Sequence, residues 1–171
     1  MSTTRSLEAT TLATPFGAFT AFWTPDDEVL RACGFGELSD IAPVLPRSAR
    51  RLPVRPNDGD SAIRRAVSDV LDGDLDAFGA LRVNQPGTPF RQSCWSSLRA
   101  SAAGERMTYR ELAERAGRPR SVRAATRACA LNRLVWVVPC HRVVRSPAGL
   151  GDYRYGVAIK TALLDWESDH R

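Results

Sequence analysis

Between residues 7 and 35 apolar and polar side chains alternate, and turn residues interrupt the alternation at Pro15-Phe16-Gly17 and Pro25-Asp26-Asp27. Alternation of this kind puts one face of a strand against a core, so "LEATTLAT", "GAFTAFW" and "VLRACGF" read as short antiparallel strands joined by turns. Residues 42–60 gather Pro43, Pro46, Pro53, Pro56, Gly59 and several arginines, a composition that resists regular structure and reads as a loop or crossover. From residue 60 the spacing becomes helical. Ile63, Val67, Val70 and Leu71 share a face behind Asp60, an N-cap candidate, and Gly73 ends the pattern. A strand is expected around Ala80 to Val83, and "NQPGTP" after it reads as an interdomain linker.

The second half is helical in pattern. Phe90, Cys94, Trp95 and Leu98 mark one apolar face of a helix that begins after Pro89. In "MTYRELAERAGRPRSVRAATRACALN", Thr108 and Glu111 form a capping box, Leu112, Ala113 and Ala116 supply an inner face, and Gly117 sits where a helix stops. A turn through Arg118-Pro119-Arg120 leads to Ser121, a second N-cap candidate, and to a helix running to about Leu131. This is a helix-turn-helix pattern. In its second helix Ala124, Ala125, Ala128 and Ala130 are small, while Arg123 and Arg127 share one face. Small side chains let a helix backbone approach a duplex while arginines reach phosphates or enter the stack.

Charge sharpens this reading. The net charge is +5, but residues 91–150 hold twelve arginines against Glu105, Glu111 and Glu114 only, so that segment is strongly basic and the remainder acidic. A concentrated positive stretch attracts a phosphate backbone through counterion release, although a solvated arginine-rich surface has the same composition. With 171 residues and 43% hydrophobic content the chain can bury one good core or two small ones, and a folded, soluble protein is expected. No apolar stretch approaches the roughly 20 residues of a spanning helix, and Met1 to Leu12 lacks the basic and apolar regions of a signal peptide, so no membrane partner and an intracellular location are expected. Cys33, Cys94, Cys129 and Cys140 show no C-x-x-C spacing, and His141 and His170 are the only histidines. Neither a metal site nor a disulfide framework is suggested, and at least one thiol is free to be a nucleophile.

The stretch "VVPCHRVV", residues 137–144, joins these lines. Pro139 stops the apolar run "LVWVVP", and a cysteine at such a strand end would ordinarily be a small buried hydrophobe. The polar pair His141-Arg142 is not required there. A thiol is mostly protonated at neutral pH, so Cys140 needs a base such as His141 to act as a nucleophile. Adjacent side chains diverge in extended chain, which favours a water relay between them. A histidine so used also needs a carboxylate to fix its tautomer.

"PCHRVV", preceded by Asn132 and followed by "GLGDYRYGVAIKTALLDWE", resembles the O6-alkylguanine-DNA alkyltransferases, which move an alkyl group from guanine onto a cysteine. The resemblance runs over residues 90–167, through "FRQSCWSSL", "GERMTYRELAERAG" and "RAATRACALN"; "TPFGAFTAFW" resembles the family's opening hairpin more loosely. It implies that Cys140 is the alkyl acceptor, His141 its water-mediated base and Glu167 the group that orients the histidine. It further implies that Asn132 holds the turn beside the active site and that Tyr109 donates to the leaving guanine. Arg123 becomes the finger that enters the duplex, with Ala124, Arg127, Thr108 and Ser121 along the DNA contact. Tyr153, Arg154, Tyr155, Val143 and Trp95 become the pocket, the backbone at Val143 accepting from the guanine amino group.

The same resemblance implies an α+β fold. A small α/β, ribonuclease H-like N-terminal domain (1–83) is followed by a linker (84–89) and a mainly helical domain (90–171) with a winged helix-turn-helix. The implied partner is double-stranded DNA containing O6-alkylguanine, met through the minor groove by a monomer, without cofactor, in the bacterial cytoplasm or a eukaryotic nucleus. Some features depart from the family pattern. Arg133 stands where proline is usual, Ala125-Thr126-Arg127 where the helix usually has a glycine, and "SAA" where "IP" commonly precedes Gly104. "YRYGV" resembles the subgroup fused to adaptive-response regulators, in which a bulky aromatic, here Tyr155, narrows the pocket. Two other classes share parts of the pattern. A non-catalytic alkylated-DNA damage sensor has tryptophan in place of the cysteine, substitutions around the pocket could leave a binder that keeps Cys140 but transfers slowly, and a cysteine hydrolase needs an oxyanion site.

Overall fold

The computed structural model describes residues 6–146 and 149–170, which fall into two compact units. One comprises Met1–Pro86 with Arg133–Val135, the other Gly87–Asn132 with Trp136–Arg171.

In the first unit the alternating segment forms strands β1 (Leu7–Thr14), β2 (Gly17–Thr24) and β3 (Val29–Phe35), paired antiparallel in sequence. Gly17, at φ 107°, supplies the turn that a side chain would strain. The Asp27 carboxylate closes the second turn by accepting from the Val29 amide at 3.1 Å and from the Thr24 hydroxyl. A single helical turn, α1 (Leu38–Ile41), follows. The proline-rich stretch is mostly irregular, as its composition predicts, but its end forms β4 (Val54–Pro56), parallel to β1, giving a sheet ordered β3-β2-β1-β4. Pro53 and Pro56 lack the N–H that a longer ladder needs, which keeps this edge short.

Helix α2 (Ala62–Leu71) buries Ile63, Ala66, Val67 and Val70, with Leu71 only half-buried. Its cap is Ser61, whose Oγ accepts from the Arg64 amide at 3.4 Å; Asp60, the expected cap, pairs instead with Arg65 at 2.5 Å. The strand expected at Ala80–Val83 is absent as such. Residues Ala77–Ala80 form a 3-10 turn and Val83 makes one parallel bridge to Leu30, and the approaching Pro86 has no N–H with which to extend the ladder. The pattern along the chain also does not reveal that Arg133–Val135 joins this unit, bonding to both sides of Cys33 (Cys33 N to Arg133 O, 2.8 Å; Val135 N to Cys33 O, 3.2 Å).

The second unit opens with α3 (Pro89–Arg99), capped by Thr88 and burying Phe90, Cys94, Trp95 and Leu98, the face its periodicity predicts. Strand β5 (Met107–Thr108) leads into α4 (Tyr109–Arg115) through the expected capping box: the Glu111 amide donates to Thr108 Oγ1 at 3.2 Å, and the Thr108 amide to Glu111 Oε2 at 2.6 Å. Gly117, at φ 82°, ends the helix, and α5 (Val122–Ala130) follows. Ser121 holds the N-cap position of α5 but its side chain makes no capping bond. Ala125 and Ala128 are fully buried, so these two alanines serve helix packing, while Arg123, Ala124 and Arg127 are exposed. The Trp95 indole N–H donates to Ala128 O at 2.9 Å and so braces α3 against α5. Strand β6 (Val143–Val144) pairs parallel with β5, and α6 (Val157–Asp169) closes the chain.

The run "LVWVVP" is not a regular strand. Trp136 adopts φ 78°, a conformation costly for a bulky side chain, and the backbone turns there. No helix among the described residues is long and apolar enough to cross a membrane. Because Thr108 satisfies a helix-end amide, Thr108→Ala should lower stability by about 1 kcal/mol and Thr108→Ser much less, as read from urea-unfolding midpoints.

Candidate active site

Pro139 adopts φ −79° and ψ 65°, and the Cys140 amide donates to Val138 O at 2.8 Å. This is an inverse γ-turn, the local consequence of a ring that fixes φ. It leads into a 3-10 turn, Cys140–Arg142, buried throughout. Such a turn points successive side chains in different directions, so Cys140 and His141 face different partners.

The fully buried Asn132 donates from Nδ2 to Val138 O at 2.8 Å and to Cys140 Sγ at 3.3 Å. Burial raises the thiol above its ordinary value; the Asn132 bond, and then the charges of Arg154 and Lys160, work against that rise. His141 Nε2 lies 2.7 Å from Glu167 Oε1. Burial works to raise the Glu167 carboxyl, but the hydrogen bond from His141 and then the hydrogen bonds and charge of Arg142 outweigh it and hold it at about 2. An ionised carboxylate can only accept, so Nε2 carries the imidazole proton and Nδ1 keeps a lone pair. Burial lowers the His141 value despite Glu167, which keeps the ring neutral, and Nδ1 is buried without a partner among the described residues. The geometry therefore offers one buried acceptor nitrogen, fixed in tautomer, in the residue after a buried thiol.

Glu167 is held by more than the histidine. Arg142 donates to it from Nε (3.0 Å to Oε2) and Nη2 (2.9 Å to Oε1), and the Gly104 amide donates at 2.6 Å. Arg142 Nη1 reaches Ser101 O at 2.6 Å and Ser101 Oγ at 3.0 Å. The "SAAG" loop thus wraps the ion pair, which gives the departure from "IP" before Gly104 a structural consequence. Arg142 and Lys160 received no role in the sequence reading. The signal for Lys160 is its being the only lysine, set in an apolar helix: it is buried and donates to Val143 O at 2.7 Å and Leu150 O at 2.5 Å.

The other candidate residues distribute as follows. Tyr109 stands at the first position of α4, half-buried, with its hydroxyl pushed up to about 12 by burial and then by the nearby Cys129 and Cys140. Tyr153 and Tyr155 meet edge to face at 6.1 Å. Trp95 packs among helices, and Val143 O is taken by Lys160. Arg154 reaches the end of α5, donating to Asn132 O at 3.0 Å and to Ala130 O. Arg123, Ala124 and Arg127 lie on the outer face of α5, with Thr108 and Ser121 at the starts of α4 and α5. Among the described residues no cluster of three or more metal-ligating side chains occurs.

Fold and site together define an α+β protein in which a helix pair precedes a buried thiol, imidazole and carboxylate. Residues 89–169 match the family described as 6-O-methylguanine DNA methyltransferase, DNA binding domain. Those residues, just under half of the chain, are what is similar to that family. The regulatory protein ada of Salmonella typhimurium is 43% identical over 133 residues, covering 77% of this chain and 36% of that protein. A methylated-DNA--protein-cysteine methyltransferase of the same organism is 39% identical over 101 residues, 59% of each chain. The chain thus spans between about a third and three fifths of these relatives' lengths. A solved structure of Mycobacterium tuberculosis OGT in complex with DNA superposes with a TM-score of 0.73 at 27% identity, covering 95% of this chain and 94% of that one.

Acid titration should read the buried cluster. Glu167 sits near 2 against an ordinary 4.5, and His141 sits below its ordinary 6.5, so the native state binds fewer protons than the unfolded chain. The stability these shifts supply is fully present above pH 6.5. It falls first as unfolded His141 takes up its proton, then from 4.5 towards 2 as Glu167 does. Glu167→Gln should flatten the lower part of that curve and cost about 3–5 kcal/mol at neutral pH, because Arg142 loses its counter-charge. Denaturant midpoints from pH 7 to 3 check both, and an unaltered acid limb in the variant would contradict the assignment.

Proposed function

We propose that this chain repairs duplex DNA by irreversible transfer of a methyl group from O6 of guanine to Cys140, once per molecule. The observation that carries this reading is the pair of contacts Asn132–Cys140 and His141–Glu167, which leaves His141 Nδ1 as the acceptor beside a buried thiol. It is supported by the match of residues 89–169 to the methyltransferase family and by the names of the relatives.

The methyl carbon on O6 is enclosed in the duplex, so the nucleotide is flipped out, with Arg123 filling its space and Ala124, Arg127, Thr108 and Ser121 along the phosphates. His141 takes the Cys140 proton through one water, with Glu167 stabilising the imidazolium and Asn132 holding the sulfur. The sulfur pair forms the S–C bond, the C–O6 bond breaks, and its electrons move onto guanine. The proton lost by the thiol is balanced by one taken up on the guanine ring. Tyr109, kept protonated, donates to the base as its charge grows. A thioether is not opened by water, which ends the reaction after one transfer. No cofactor enters this scheme.

In this reading Tyr153, Arg154, Tyr155, Val143 and Trp95 form or support the pocket, and Val143 O would exchange its Lys160 contact for the guanine amino group. Residues 1–83 act as a ribonuclease H-like domain, 84–89 as a linker and 90–171 as the transfer domain, β5 and β6 serving as the wing. The protein works as an intracellular monomer on the minor groove, with affinity set by phosphates and so by salt.

Intact mass after mixing with a duplex holding one O6-methylguanine tests the proposal. Wild type should gain one methyl and stop, and Cys140→Ala none. Tight lesion binding without mass gain would mean a damage sensor instead. The Tyr153–Tyr155 contact also predicts preference for methyl over benzyl: Tyr155→Gly should speed inactivation by O6-benzylguanine by about tenfold or more, measured as loss of transfer competence with time.

A further inference from the structure

Arg154 lies in the segment 151–156, bounded by Gly151 at φ 74° and Gly156 at φ 94°. Its guanidinium turns to the C-terminal end of α5, with Nη1 donating to Asn132 O at 3.0 Å and Nη2 to Ala130 O. A helix end leaves carbonyls without intrahelical donors, and a cation there both satisfies them and complements the dipole. Asn132 carries the contact onward, because the same residue donates from Nδ2 to Cys140 Sγ at 3.3 Å and to Val138 O at 2.8 Å. Residue 133 is arginine, so no ring fixes the backbone after Asn132, and hydrogen bonds must hold it.

We infer that Arg154 is a positioning residue, which locks Asn132 and through it the Cys140 thiol, and ties the Tyr153–Tyr155 segment to the helix carrying Arg123 and Arg127. The inference deepens the methyl-transfer reading and rests on it. It gives Arg154 a role directed at the helix end in place of direct contact with the alkyl group. One consequence is that thiol reactivity depends on Arg154 even towards a reagent that never meets DNA. The charged and titratable groups acting on that thiol are Lys160 from α6, Cys129 from α5, Tyr109 from α4 and Arg154 itself, with His141 next to it in the chain. The charges of Arg154 and Lys160 oppose the rise that burial imposes.

The test compares wild type, Arg154→Gln and Arg154→Lys in the full chain by four measurements: affinity for an undamaged duplex, the single-turnover methyl-transfer rate, the pH profile of Cys140 alkylation by iodoacetamide, and the thermal midpoint. For Arg154→Gln the duplex affinity should stay within about twofold, transfer should slow by about tenfold or more, and the alkylation profile should move to higher pH. Arg154→Lys should return part of the profile, since it restores the charge. Wild-type transfer and an unmoved profile in Arg154→Gln would overturn the inference. So would a slower variant whose profile is unmoved and whose thermal midpoint has dropped, since that is a structural defect alone. If wild type itself gains no methyl, the repair reading fails, while the iodoacetamide profile still decides the role of Arg154.

Discussion

Burying the Glu167 carboxylate requires that its lone pairs find donors, and three residues from two separate segments converge on it. They are His141 and Arg142 from the 3-10 turn and the Gly104 amide from the loop after α3. With Arg142 charged and His141 neutral the cluster carries no net charge, which is the condition for keeping ions out of water. The ion pair adds little stability that a well-packed apolar group would not, but any missing member leaves another group buried and unpaired. Turn, loop and α6 are therefore held in one arrangement.

The chemistry of the turn follows from that constraint. Because Glu167 accepts at Nε2, the acceptor nitrogen of His141 is assigned by geometry and does not have to be selected when a substrate binds. The thiol itself is tuned weakly: burial holds it protonated, and Asn132, Arg154 and Lys160 only oppose the effect. A nucleophile kept as a buried thiol is protected from adventitious alkylation and oxidation, which suits the proposed single transfer. Buried Lys160 joins β6 to the loop at Leu150 through two carbonyls, so the walls beside the thiol are also fixed by backbone contacts.

Much of this was legible along the chain, for reasons specific to each element. The three hairpin strands are delimited by their turn residues, although β2 and β3 are buried along most of their length; α3 and α4 carry a narrow apolar face and a proline or threonine at their starts, and their limits follow from caps. Failures occur where neighbours in space overrule local chemistry. Asp60 looks like a cap, yet Arg65 draws it away and Ser61 caps instead. "LVWVVP" has strand composition, yet it passes from one compact unit to the other at Trp136 and is turned by a positive φ. Arg154 stands between two tyrosines in the sequence, but its guanidinium goes to helix carbonyls.

The residue types of the site and their order, Asn132, Cys140, His141 and Glu167, are determined by the sequence alone, as are the basic character of residues 91–150 and the capping box that starts α4. These are properties of composition and of spacing within one turn, where covalent geometry limits the partners a side chain can reach. Which carboxylate the histidine meets, which of its nitrogens is left as an acceptor, what Arg142, Lys160 and Arg154 hold, and that Arg133–Val135 extends the first unit were decided only by the tertiary structure. Each depends on contact between segments far apart in the chain, and the requirement that buried polar groups be paired selects among such contacts only once packing has brought the segments together.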